Sequence, residues 1–172
     1  MTSKGARIVF MGTPAFAAAS LDALIKDGHD IVAAITQPDK PAGRGQISQS
    51  CPVKELAASH GIPVLQPAKI RDEGFIKELA ALKPEFIAVV AYGKILPKAI
   101  LSIPPKGCIN LHASILPKYR GAAPINWAII NGENETGACT MLLDEGMDTG
   151  PVYFCEKTLI DPNETAEDLA RR

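Results

Sequence analysis

Gly107-Cys-Ile-Asn-Leu-His-Ala-Ser-Ile-Leu-Pro-Lys-Tyr-Arg-Gly121 opens as a strand and closes as a basic loop. Pro104, Pro105 and Lys106 form a turn ahead of it, and Cys108, Ile109 and Leu111 are apolar. Asn110 and His112 stand two residues apart, so on a strand both side chains leave the same face. Ser114 shares that phase if the strand runs so far. The run breaks at Pro117, and Lys118, Tyr119 and Arg120 follow. A single histidine at a strand end is often only a structural histidine with its hydrogen bonds satisfied. An Asn beside it on one face, before a Pro/Gly loop, is poor core material, because both must find partners on burial. The pair suits a site: histidine exchanges a proton near neutral pH, and asparagine donates to a developing oxyanion.

Outward from this stretch the chain reads as alternating strands and helices. Phe86–Ala91 is a continuous apolar run of the kind buried on both faces of a parallel sheet. Arg7–Met11 is another, ended by Gly12-Thr-Pro14, with Thr13 and Pro14 suited to a cap and first helical turn. A helix over about 15–27, a stop at Gly28 and a strand over Ile31–Ile35 complete a βαβ unit, which implies parallel strands. Helices follow over 52–60 and about 72–82, around a short strand at 62–65, and a helical turn spans 98–101. The fold class is therefore α/β: a Rossmann-like, open, mostly parallel twisted sheet with helices on both faces. No Gly-x-Gly-x-x-Gly follows the first strand, so no nucleotide cofactor is expected. Ligands of such sheets bind beyond strand C-termini, so the loop Tyr92-Gly93-Lys-Ile95-Leu96-Pro97 and the Asn110/His112 strand end border one crevice. Downstream, a helix over 122–130 packs Trp127 inward. Strands over 136–143 and 152–159 form an antiparallel hairpin. Thr165 to Asp168 resembles a capping box, with Asp reaching back less easily than Glu.

Composition narrows the function classes. The chain has 172 residues, 47% hydrophobic and 22% charged, enough for one domain with an aliphatic core. A net charge of −1 gives no global field to draw in nucleic acid. Cys51, Cys108, Cys139 and Cys155 have no close-paired metal spacing. Cys108 and Cys139 lie in apolar runs and read as small buried hydrophobes, as in a reducing, cytoplasmic compartment. No apolar run approaches the roughly 18 residues of a membrane span, and the N-terminal run is too short for a signal peptide. No metal site is expected.

Two loops remain. Asp144-Glu-Gly-Met-Asp-Thr-Gly150 sets three acids between two apolar runs. It is either a solvated turn or a carboxylate brought opposite His112. Thr36 to Ser50 has no periodicity, two prolines, two glycines and two cations. It reads as a long loop, either a surface excursion or a substrate-gripping one.

Asn110-x-His112, Ser114-Ile-Leu-Pro117, Arg120-Gly121 and Asp144-x-Gly-x-Asp148-x-Gly150, in this order and spacing, resemble the folate-dependent formyltransferases from about Arg7 to Tyr153. The resemblance implies that Asn110, His112 and Asp148 are catalytic, with 10-formyltetrahydrofolate as co-substrate. It implies that Tyr92, Gly93, Ile95, Leu96, Ser114, Ile115, Leu116, Pro117 and Asp144 border the folate. Gln37-Pro-Asp-Lys-Pro-Ala-Gly-Arg-Gly45 is similar to the loop of those members that formylate methionyl-initiator-tRNA, which gives Gly43, Arg44 and Gly45 to the tRNA. Formyl transfer asks for an oxyanion donor and a proton acceptor. Asn110 and His112 serve the first, and Asp148 keeps His112 charged or takes the amine proton. No nucleophile is placed for a formyl-enzyme, so transfer is direct. The expectation is a monomeric catalytic domain over 1–172, truncated within its last helix, without the C-terminal OB-like tRNA-binding domain of such members, and with weak tRNA affinity. The rivals are a formyltransferase for a small amine, a 10-formyltetrahydrofolate hydrolase, and a folate-binding module without catalysis.

Overall fold

The alternation of apolar residues in β1 (Arg7–Gly12) already fixes two cores. Ile8 and Phe10 face one side of the sheet, and Val9 and Met11 the other. The computed structural model describes residues 5–42 and 47–172. On the first face lie α1 (Ala15–Lys26) and α2 (Pro52–Ser59), which bury Ala17, Leu21, Val53 and Ala57. On the second lie α3 (Glu73–Ala81) and α4 (Lys98–Leu101), which bury Phe75, Leu79 and Ile100. Each large side chain hidden this way contributes about 1.5–3 kcal/mol.

Among the described residues, seven strands form one sheet in the order β5-β2-β1-β6-β7-β8-β9. Here β2 is Asp30–Ile35, β5 Val64–Leu65, β6 Phe86–Val90, β7 Cys108–His112, β8 Glu135–Leu142 and β9 Val152–Leu159. The pairs from β5 through β7 are parallel, and β7–β8 and β8–β9 are antiparallel. The chain winds from β1 towards β2 and later returns to pair β6 on the other side of β1. The order therefore reverses between β1 and β6, the place where such sheets bind ligands beyond their strand ends. Two shorter helices complete the fold: α5 (Pro124–Ile130) and α6 (Ala166–Arg171), which packs beside α5 and α1. The Thr165/Asp168 capping box opening α6 has both arms, so the shorter aspartate does reach back. No described helix is long and apolar enough to cross a membrane.

Several expectations are corrected. The 36–50 segment is not structureless: β3 (Lys40–Ala42) and β4 (Ile47–Gln49) pair antiparallel. Pro14, not Thr13, occupies the N-cap of α1, and Thr13 Oγ1 accepts from the Gln37 N–H at 3.3 Å instead. Trp127 is 50% exposed rather than packed inward, because only Ala128 of the short α5 is buried. Cys139 is buried but not free: it opposes Cys155 across β8–β9 and is joined to it as a disulfide.

Candidate active site

Asn110 and His112 reach the cavity because β7 keeps its alternation to the end. Cys108, Asn110 and His112 are buried, while Ile109 and Leu111 are less so. Cys108 lies deepest, and burial pushes its thiol up to about 12. After His112 the chain turns: Ser114 N donates to His112 O at 2.9 Å. The loop that follows then comes back over the strand end.

That loop and the acidic turn meet at His112. His112 Nε2 lies 2.8 Å from Tyr119 O. A carbonyl only accepts, so Nε2 carries the proton in either charge state of the ring. Nδ1, the other ring nitrogen, lies 3.5 Å from Asp148 Oδ2. Asp148 is itself held. Oδ2 accepts from Gly121 N at 2.8 Å, and Oδ1 takes a long contact of 3.5 Å from Asn110 Nδ2. The side chains of His112 and Asp148 are 7% and 13% exposed, so the pair is largely shielded from bulk water. Asp148 has φ 51°, Tyr119 56° and Ala123 55°. Such left-handed residues persist only where their surroundings over-determine them, and they cluster at functional sites.

The three side chains line a cavity of about 610 Å³, within the range of small-molecule sites. Tyr92, Gly93, Ile95, Leu96 and Asp144 line it too. The ring of Tyr92 belongs to the α3/α4 core, and its carbonyl accepts from Gln37 Nε2 at 2.8 Å. Asp144 chiefly organises its own turn, accepting from Gly146 N at 2.9 Å and Thr149 Oγ1 at 2.8 Å. Gly150 closes that turn where a Cβ would sit 1.9 Å from Leu142 O, so no side chain fits. Glu145 pairs with Lys98 at the surface, 2.9 Å apart.

Ser114, Ile115, Leu116 and Pro117 are not among the cavity's lining residues. Ser114 Oγ donates to Lys118 O at 2.6 Å, and Ile115 borders a smaller cavity beyond the loop. Their role here is to shape the return of the chain. Sequence reasoning missed Pro14 and Phe16 after β1, the run Gly121–Asn126, and Met147. The signal for the run was its Gly-Ala-Ala-Pro opening, a tight entry into a helix. Gly43, Arg44 and Gly45 lie outside the described residues. Among the described residues no three His, Cys, Asp or Glu side chains are grouped to hold a metal ion.

The formyl transferase family profile matches residues 6–172. A curated methionyl-tRNA formyltransferase of Trichlorobacter lovleyi is 56% identical over 168 residues, 98% of this chain and 53% of that protein. The chain thus spans about half the length of the curated relatives it matches. Glycinamide ribonucleotide transformylase 1 of Geobacillus kaustophilus superposes with a TM-score of 0.75 at 28% identity, covering 96% of this chain and 88% of its own. An N-formyltransferase of Helicobacter canadensis, solved with folinic acid and dTDP-3-aminofucose, gives 0.71 at 26% identity, over 95% of this chain and 56% of its own. With its profile matched from the first strand to the last helix, the chain belongs to the formyl transferase family.

Proposed function

We propose that the chain transfers the formyl group of 10-formyltetrahydrofolate directly to the amino group of methionyl-initiator-tRNA. The observation that carries this reading is the convergence of Asn110, His112 and Asp148 on one cavity. The identity to curated methionyl-tRNA formyltransferases supports the choice of acceptor.

The residues present fit a folate. The cavity has room for a drug-sized ligand, and Ile95, Leu96 and Met147 give it apolar walls beside the polar ends of Asn110 and His112. A relative of the same fold was solved with folinic acid. The bound folate supplies the formyl carbon. Asn110 Nδ2 and a protonated His112 Nδ1 are the donors for the formyl oxygen as it gains charge. Asp148 stands next to Nδ1 and takes the proton that the attacking amine must lose, directly or through water; the bond from the formyl carbon to the folate nitrogen then breaks, and that proton is passed to the departing nitrogen. Pro14, Phe16 and Ile125 also line the cavity and offer apolar surface that suits the side chain of the acceptor amino acid. For the tRNA, the support is the resemblance of the Gln37–Gly45 loop. The root of that loop is tied to the cavity wall by the Gln37–Tyr92 hydrogen bond. The reading places the chain in translation initiation, in the cytoplasm, acting as a monomer.

The test is release of tetrahydrofolate from 10-formyltetrahydrofolate, measured with and without methionyl-tRNA. Release that rises with charged tRNA and leaves formyl-methionine on it is the expected result. Folate release that ignores tRNA but rises with a small amine would move the acceptor elsewhere. Isolation of a formylated chain would overturn direct transfer.

A further inference from the structure

His112 is held by a backbone carbonyl, and what holds that carbonyl lies outside the site. Tyr119 is left-handed, with φ 56°, a conformation costing an ordinary residue about 1–2 kcal/mol. Something must keep it there. Its side chain leaves the cavity, and its hydroxyl donates to Glu133 Oε1 at 2.7 Å while accepting from Asn131 Nδ2 at 3.1 Å. Lys118 Nζ also reaches Glu133, at 2.9 Å. Glu133 itself sits on a rigid support, the turn between α5 and β8, with its N–H bonded to Ala128 O at 3.0 Å. Exposed lysine pairs contribute little. The tyrosine hydroxyl bond is different, because it fixes a ring whose backbone carries Tyr119 O.

We propose that Glu133 is a positioning residue: it anchors the Tyr119 ring, so that the Tyr119 carbonyl keeps the proton on His112 Nε2 and the Gly121 N–H stays on Asp148. The inference rests on the catalytic reading of His112 and Asp148 given above. One acid on the far side of the loop thereby sets both partners of the proton exchange. Without it the Tyr119 hydroxyl loses its acceptor, and the remaining ties, Gly121 N to Asp148 and Asn131 to the hydroxyl, hold the left-handed turn less firmly. Tyr119 O then drifts, and His112 samples both tautomers. A neutral ring with its proton on Nδ1 and Nε2 bare cannot take up at Nδ1 the proton that makes it the charged donor to the formyl oxygen.

The experiment reads the imidazole nitrogens by 15N NMR; the chain has only three histidines. In the wild type, at a pH where the ring is neutral, His112 shows Nε2 as the protonated nitrogen. In Glu133→Ala the two nitrogen shifts move towards each other. The turnover number falls about tenfold while folate affinity stays within about twofold, the split expected of a misoriented acid–base group. Glu133→Gln, whose amide oxygen still accepts the Tyr119 hydroxyl, restores both. Wild-type shifts in Glu133→Ala would overturn the proposal. So would a parallel loss of folate affinity and thermal stability with unmoved shifts, the mark of a merely structural group. Should Glu133→Ala fail to fold, Tyr119→Phe removes only the hydroxyl and keeps the carbonyl, and unmoved shifts there overturn the proposal equally. Shifts that move in a chain with no formyl transfer at all would leave the positioning in place and remove the proposed activity.

Discussion

Asp148 holds its place at a backbone cost. With φ 51° it occupies a region that Asp tolerates better than most side chains, and it receives the Gly121 N–H in return. Asp148→Asn separates charge from shape, because an amide oxygen still accepts from Gly121. The turnover number is expected to fall by about 10²–10⁴-fold, the usual worth of an acid–base group, with folate affinity nearly unchanged. Steady-state kinetics beside equilibrium binding of folinic acid checks it, and an unchanged turnover would remove Asp148 from the chemistry. The cysteines give a second residue-scale outcome. Cys108 is buried, with its thiol pushed up to about 12, while Cys51 is half-buried, and Cys139 is bonded to Cys155. The thiolate is the reactive form. In the native, unreduced chain an aromatic disulfide reagent at mild alkaline pH should find Cys51 alone, and Cys108 only after unfolding. Reaction of Cys139 or Cys155 without prior reduction would show that pair open.

At the scale of elements, the root of the β3–β4 hairpin is clamped by one amide. Gln66 Nε2 donates to Thr36 Oγ1 at 3.0 Å, to Gln37 O at 2.9 Å and to Asp39 Oδ1 at 2.9 Å, and Lys54 pairs with Asp39 beside it. Hydrogen bonds from Lys54 and then Gln66 hold the Asp39 carboxyl below its usual range. Gln66→Ala removes three hydrogen bonds from the hairpin root, a loss of about 1–3 kcal/mol. Faster amide exchange over Gln37–Ala42, with β6 and β7 unchanged, is the expected result. Exchange that is uniform across the sheet would show no local clamp. The hydrogen bonds to Glu133 carry a pH consequence. Tyr119 and then Lys118 lower its pKa from 4.5. A depressed carboxyl stabilises the fold above its unfolded pKa and loses that contribution as pH falls through the folded one. The Tyr119 loop should therefore loosen below about pH 4.5 sooner in the wild type than in Glu133→Gln, as followed by the Tyr119 ring signals. These clamps also mark where the sequence stopped being legible. Asn110 and His112 were visible because two residues on a strand share a face, and Asp148 because acids crowded a turn between two strands. Ser114–Pro117 are not among the cavity's lining residues, because the turn after His112 ends the alternation that placed His112 itself. The hairpin was hidden by its prolines and glycines, and the Gln66, Lys54 and Glu133 contacts by their distance along the chain. Trp127 was misread because a seven-residue helix has too little buried face to hide it.

For the whole molecule, the position of the cavity follows from strand order more than from any motif. The order reverses between β1 and β6, so the loops after these strands diverge and leave a crevice. The antiparallel β8–β9 hairpin then brings the Asp144–Gly150 turn back over the end of β7. Both halves of the core support this crevice: Phe10 and Val90 from the α1/α2 side, Val89, Tyr92 and Leu96 from the α3/α4 side. A site built by two packed cores is largely formed before a ligand arrives, so binding should stabilise the fold without a second substrate. At about a hundred times its dissociation constant, folinic acid should add about 2.7 kcal/mol. For a chain of this size that is a rise of roughly 5–10 °C in melting temperature. Leu96→Asp places a charge in the apolar wall and should abolish the rise, whereas Asp148→Asn should keep it if the charge serves the proposed proton transfer and not folate binding. A wild-type chain whose melting temperature ignores folinic acid would take the folate out of this cavity. A rise that comes only once methionyl-tRNA is added would make the crevice a product of binding, against the packing that builds it from both faces of the sheet.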